Sequence, residues 1–156
     1  MGAEQATGLA PRRYPARPIV GVGGVIFDGP AVLLVKRAKD PGRGQWTIPG
    51  GAVKTGETLA EAVRREMAEE VGLAVSVGPL IEVVERIIPD EQGRVLYHYV
   101  ILDFLCHPDG GALRPGSDAD EARFVRPEEW GDYGQPGMAV RIFEKAAGML
   151  RDSVSG

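Results

Sequence analysis

The stretch GAVKTGETLAEAVRREMAEEVGL, residues 51–73, decides the reading of this chain. Thr58-Leu59-Ala60-Glu61 is a capping box: the Thr58 hydroxyl serves an orphan amide and Glu61 reaches back, so a helix opens here. The helix runs from Leu59 to Val71 and stops at Gly72, which supplies the left-handed residue of a C-terminal cap. At about 100° per residue, Glu66, Glu69 and Glu70 share one side of it, spanning roughly a quadrant to a third of the circumference. Leu59, Val63, Met67 and Val71 occupy the adjoining sector, so Glu66 and Glu70 stand at the edge of the buried stripe.

That is a poor place for unpaired charge. Carboxylates three and four residues apart repel each other, and at a core boundary they also lose hydration, so the arrangement calls for a cation. Arg64 and Arg65 give some relief. An oxygen-only ligand set favours Mg²⁺ or Mn²⁺, and no matching His or Cys cluster argues for zinc. The competing reading is a solvated acidic helix face, the usual fate of a Glu-rich helix.

On the N-terminal side of the helix, Pro41 to Gly56 carries glycines at 42, 44, 50, 51 and 56, with Gln45 to Ile48 able to form a short strand. Such density points to sharp turns or close backbone approach. Before it, Ile19 to Phe27 and Ala31 to Lys36 read as strands joined by the turn residues Asp28-Gly29-Pro30. Residues 1–17 form a flexible or loosely docked arm rich in Pro, Gly, Ala and Arg. The domain proper occupies residues 18–152. On the C-terminal side, Pro79 to Ile88 and Arg94 to Cys106 read as strands around the turn Pro89 to Gly93, and Ala122 to Val125 as one more. Val140, Phe143, Ala147 and Leu150 recur at helical spacing in a closing helix from Pro136 to Leu150. Strands, helix, strands, helix imply an α/β class, an α/β/α sandwich around a mixed sheet.

At 156 residues, 44% hydrophobic and 26% charged, the chain has the length and composition of one globular domain. A net charge of −4 provides no field for a nucleic-acid polymer or an anionic membrane, so the expected partner is a small molecule. Cys106 is the single cysteine and cannot form an internal disulfide. With no apolar run long enough for a signal or a span, a cytoplasmic location is expected.

Gly51, then Glu57, then Arg65-Glu66-Met67-Ala68-Glu69-Glu70-Val71-Gly72-Leu73 reproduces the Nudix box at every specified position. A chance match at a given start is on the order of 10⁻⁹ from background frequencies. The chain therefore resembles the Nudix hydrolases, and its order of elements over residues 18–150 is similar to theirs. The resemblance implies that Glu66, Glu69 and Glu70 bind divalent ions, that the Gly51 carbonyl adds a ligand, and that Arg65 orients Glu66. It also implies that Glu57 supports metal binding at longer range. The chemistry expected is hydrolysis of a diphosphate by water that the metal activates, with no covalent nucleophile. The base is Glu66 or Glu70, or a loop carboxylate.

For that loop carboxylate Glu121 is favoured over Asp118 and Asp120 in the acidic stretch 117–121, where Nudix enzymes often place an additional Glu. Arg37, at a strand end before the Gly-rich loop, is the leading substrate contact, ahead of Lys36, Lys54 and Arg86. Trp46 either packs under the box or stacks on a base. His98, between Tyr97 and Tyr99, is a further candidate for substrate.

Pro89, sixteen residues beyond Leu73, and the segments 94–104 and 116–123 look like bacterial ADP-ribose pyrophosphatases. The implied substrate is ADP-ribose, giving AMP and ribose 5-phosphate with Mg²⁺. The alternative within enzymes is a MutT-like hydrolase of non-canonical nucleoside triphosphates. A catalytically silent nucleotide-sugar sensor is disfavoured, because the box is intact. The apolar strands and the arm suit a homodimer, with a monomer equally open.

Overall fold

A computed structural model describes residues 12–155. Most of the expected arm, residues 1–11, lies outside the described residues. The chain forms strands β1 (Ile19–Asp28), β2 (Ala31–Arg37), β3 (Trp46–Thr47) and β4 (Gly50–Ala52), then helix α1 (Leu59–Val71). There follow β5 (Leu73–Pro89), β6 (Val95–Gly111), β7 (Ala119–Val125), a 3₁₀ turn (Pro127–Glu129) and α2 (Gly137–Ser155). Among the described residues no helix is long and apolar enough to cross a membrane.

The sheet is mixed. β1 pairs with β2 only at the hairpin end, Phe27 with Val32 and Asp28 with Ala31. Further back, β1 turns to other partners: β6 in parallel from Ile19–Tyr99 to Ile26–Cys106, and β4 in antiparallel fashion at Gly21 to Gly23. β2 meanwhile pairs with β3 and β7. Two groups of strands, β4-β1-β6-β5 and β3-β2-β7, are thus hinged at the Asp28 turn.

Strand alternation sends neighbouring residues to opposite faces. Ile26, Leu33, Val35 and Cys106 join Ala62, Val63, Met67 and Val71 of α1 in one core. Val25, Val32, Leu34 and Leu105 join Ile142, Phe143 and Ala146 of α2 in a second. The α/β/α sandwich follows directly. Each fully buried Val or Met side chain of α1 stabilises it by roughly 1.5–3 kcal/mol, so the apolar stripe, not the acidic one, holds the helix. Cys106 is buried in the first core, and burial pushes its thiol up to about 12, leaving it inert.

Three strand boundaries differ from the sequence reading by three residues or more, and the closing helix runs on to Ser155. β5 starts at Leu73, directly after the cap glycine, instead of at Pro79. Leu73 and Val75 are buried while Ala74 and Ser76 face out, and Gly78-Pro79 is absorbed by register shifts between Val77 and Glu82. β6 continues to Gly111, because the early residues of β5 pair with it there. β7 begins at Ala119, which draws Asp120 and Glu121 into the strand.

Candidate active site

Helix α1 is fixed at both ends. The Thr58 hydroxyl accepts from the Glu61 amide at 3.1 Å and donates to the Glu61 carboxylate at 3.0 Å, a variant of the expected box. Gly72, at φ 75°, gives its N–H to Ala68 at 3.2 Å. The loop after β6 then docks on the helix end: the Arg114 amide donates to Val71 at 3.0 Å and that of Gly116 to Glu70 at 2.7 Å. A Cβ at Gly116 would lie 2.0 Å from the Glu69 carbonyl, so only glycine permits this approach. The docking sets Ser117 and Asp118 beside the glutamates.

Glu66, Glu69, Glu70, Ser117 and Asp118 line a cavity of about 210 Å³. Glu70 is only 6% exposed, and its carboxylate accepts the Gly50 N–H at 3.0 Å. Burial pushes Glu70 up to about 7 despite that hydrogen bond, with the charge of Glu66 adding to the rise. Burial likewise raises Glu66, against the lowering effect of Arg65. Glu70 is thus a carboxylate largely removed from water, while half-buried Glu66 is paired with Arg65 at 2.8 Å.

Arg65 organises what lies around them. Its Nε and Nη2 bind the two oxygens of Glu57 at 2.6 and 2.9 Å, and Nη2 also reaches the Ala52 carbonyl at 3.0 Å. Nη1 takes Glu66 at 2.8 Å and Glu69 at 3.2 Å. Glu57 is drawn down to about 2, first by this fork and then by the Lys54 amide. With Glu66 and Glu69 both turned to Arg65, among the described residues no three acidic side chains converge in ready ligating geometry. The donors nonetheless suit a hard divalent cation: every one is oxygen, and two are desolvated by burial. Gly51, in β4 opposite Val22, completes the cradle, because a Cβ there would lie 2.4 Å from the Glu66 carboxylate.

Of the other expected residues, Arg37 lies near the cavity: it pairs with Ala119, next to Asp118, and its Nε donates to the Pro41 carbonyl at 2.6 Å. Glu121 does not. Ala122 and Phe124 of β7 face the α1 core, so Glu121 and Arg123 face the other side. There Glu121 is paired with Arg123 at 3.1 Å, and Arg123 lies over the Trp46 ring, 5.7 Å from its centroid. The loop carboxylate beside the glutamates is Asp118, whose charge bears on both Glu66 and Glu70. Trp46 packs edge-on to Tyr133 at 4.9 Å against the α2 core, not under the box as expected. Lys36 pairs across from Glu121 and Trp46, away from the box. Lys54 contributes its amide to Glu57. Arg86 and His98 lie on the β5–β6 ladder opposite Tyr99 and Ile87, and neither side chain has a hydrogen-bond or ion-pair partner among the described residues.

Sequence reasoning ranked Asp118 below Glu121. The signal that could have reversed this was Gly116, the one residue able to seat that loop on the helix end.

A sandwich of this topology, with an all-oxygen cavity on the first helix, defines a small protein of the α/β class whose site suits a divalent cation. A NUDIX domain model matches residues 17–143, and the chain belongs to that family. It is 42% identical over 112 residues to an ADP-ribose pyrophosphatase of Methanocaldococcus jannaschii, covering 72% of this chain and 64% of the relative. It is 39% identical over 89 residues to the 8-oxo-dGDP phosphatase of Mus musculus, covering 57% of this chain and 25% of the relative. The chain thus spans less than two thirds of either relative's length. A MutT NUDIX hydrolase structure from Burkholderia pseudomallei superposes with a TM-score of 0.69 at 30% identity, covering 83% of this chain and 98% of that one.

Proposed function

We propose that this chain hydrolyses the diphosphate of ADP-ribose to AMP and ribose 5-phosphate, using Mg²⁺ or Mn²⁺. The observation that carries the chemistry is the pair of half-buried Glu66 and buried Glu70, together with Asp118 in one oxygen-lined cavity. The relative named ADP-ribose pyrophosphatase supports the substrate.

Glu66, Glu69 and Glu70 hold the cation, with the Gly51 carbonyl as an additional ligand. Glu57 acts through Arg65, which keeps the Glu66 carboxylate aimed. When bound, a divalent ion neutralises the diphosphate and lowers the pKa of water. Arg37 supplies positive charge to offset that of the diphosphate. A carboxylate among Glu66, Glu70 and Asp118 accepts the proton of the attacking water.

A second reading, hydrolysis of oxidised nucleotides, draws on the 39% identity to the mouse 8-oxo-dGDP phosphatase. A substrate panel at fixed Mg²⁺ decides between them. The expected result is a kcat/KM for ADP-ribose at least about tenfold above those for 8-oxo-dGDP and the nucleoside triphosphates, a gap equivalent to about 1.4 kcal/mol. Triphosphates or 8-oxo-dGDP consumed far faster than ADP-ribose would overturn the substrate assignment.

A further inference from the structure

A second cleft, larger than the glutamate cavity, lies between the segment preceding β1 and the loop following β2. It holds about 520 Å³, and its lining includes Arg12, Arg13, Asp40, Pro41, Gly42 and Tyr97. One wall is the segment before β1, and that segment is firmly seated. The Tyr14 amide donates to the Leu96 carbonyl at 2.8 Å, and its hydroxyl donates to Asp90 at 2.9 Å. The Arg94 guanidinium covers the Tyr14 ring at 5.1 Å. Tyr14 itself sits at φ 51°, a left-handed conformation that residues with a Cβ rarely adopt unless their surroundings impose it. Three contacts impose it here.

The opposite wall is joined to the active site. Pro41 is held by Arg37, and the next residue, Ala38, gives its amide to the Asp118 carbonyl at 3.1 Å. The loop that forms this wall of the cleft is therefore anchored on Asp118, which lines the glutamate cavity. Asp40 is the one acidic residue in its lining, against two arginines. Among the described residues neither Arg12 nor Arg13 has a carboxylate within ion-pair distance. Two guanidinium groups without partners, in a concave site beside a centre for phosphate chemistry, present the planar forks that match phosphate oxygens.

We propose that Arg12 and Arg13 form an anion-binding wall that takes phosphate oxygens of the nucleotide, so that the seated N-terminal segment is part of the substrate site. The identity of the nucleotide rests on the function proposed above; the anion chemistry of the cleft does not. Arg37 holds the diphosphate on the glutamate side and the two arginines hold it from the other, which sets binding strength more than turnover.

The test uses the full chain carrying Arg12→Ala and Arg13→Ala together, with the Arg12→Lys, Arg13→Lys pair as a charge-preserving control. With Mg²⁺, the Ala pair is expected to raise KM for ADP-ribose about tenfold, with kcat within about twofold of the parent. The rise of KM with added NaCl, pronounced in the parent, should flatten. The Lys pair should recover most of the loss. AMP binding measured calorimetrically without metal should weaken about tenfold in the Ala pair. Melting temperatures should stay together, because Tyr14 still seats the segment. Unchanged KM together with unchanged AMP affinity overturns the proposal. If the parent turns over no ADP-ribose, the functional reading fails, and the metal-free AMP titration still decides whether the cleft binds phosphate.

Discussion

Arg65 holds Glu57 with two parallel hydrogen bonds, at 2.6 and 2.9 Å, while the same guanidinium contacts Glu66 and Glu69. One planar group thereby transmits the position of the loop residue Glu57 to the carboxylates of the helix. A lysine ammonium is a point charge and cannot hold three carboxylates in fixed directions. Arg65→Lys is expected to lower kcat/KM about 10–100-fold and to raise the Mg²⁺ concentration for half-maximal rate, with Glu57→Gln shifting it in the same direction. A Mg²⁺ titration of initial rates checks this, and an unmoved midpoint in both variants contradicts the role assigned to the fork.

Asp118, not Glu121, stands beside the glutamates. Asp118→Asn is expected to reduce kcat at least about tenfold, the lower end of the range for losing a group that supports a metal site. Glu121→Gln, on the opposite face of β7, should stay within about threefold of the parent. Steady-state kinetics of the two variants side by side settle the matter. The reverse ranking would restore Glu121 as the loop carboxylate.

Gly51 leaves no room for a side chain against Glu66: an added Cβ would be 2.4 Å from one carboxylate oxygen and 2.7 Å from the other. In Gly51→Ala the Glu66 carboxylate must move. Misplacement on the ångström scale can lower turnover about 100-fold, so activity should fall by that order while circular dichroism and the two cores remain. Retained activity would mean that the position of Glu66 is not what the reaction depends on.

Asp103 is 5% exposed, with one side-chain oxygen lacking any partner. Burial, helped by the nearby charge of Glu82, pushes it from 3.8 up to about 6. A carboxyl raised on folding contributes stability at pH below its unfolded value, and that contribution is lost as pH rises through about 6. The advantage of Asp103→Asn over the parent should therefore grow by up to about 3 kcal/mol between pH 4 and pH 7 and then level off. Urea denaturation at a series of pH values measures it. A pH-independent difference would show that Asp103 titrates normally in the folded chain.

Helix α1 was fully legible in the sequence because its signals are local: a cap at each end, an apolar stripe, and carboxylates at fixed spacing. The start of β5 was not, since Leu73 follows a cap glycine without a break and its pairing partners, Gly111 and Gly110, lie far along the chain. The choice between Asp118 and Glu121 turns on a register shift between Lys36 and Arg37, where Asp120 falls between two paired positions. Such a shift reverses which side chains face the helix, and no periodicity in the sequence announces it. The wall formed by Arg12 and Arg13 depends on Tyr14 meeting Leu96 and Asp90, contacts that composition alone renders as a loose arm. Where a signal is carried by neighbours in sequence it was read correctly, and where it is carried by partners across the sheet it was not.

The most direct measurement is product analysis of ADP-ribose hydrolysis by the parent and by Glu70→Gln, with and without Mg²⁺. The expected result is AMP and ribose 5-phosphate in equal amounts from the parent, no turnover once Mg²⁺ is chelated, and a loss of about 100-fold or more in Glu70→Gln. Turnover that persists unchanged in Glu70→Gln, or that proceeds without a divalent ion, would contradict the assignment of the buried glutamates of α1 as the centre of the reaction.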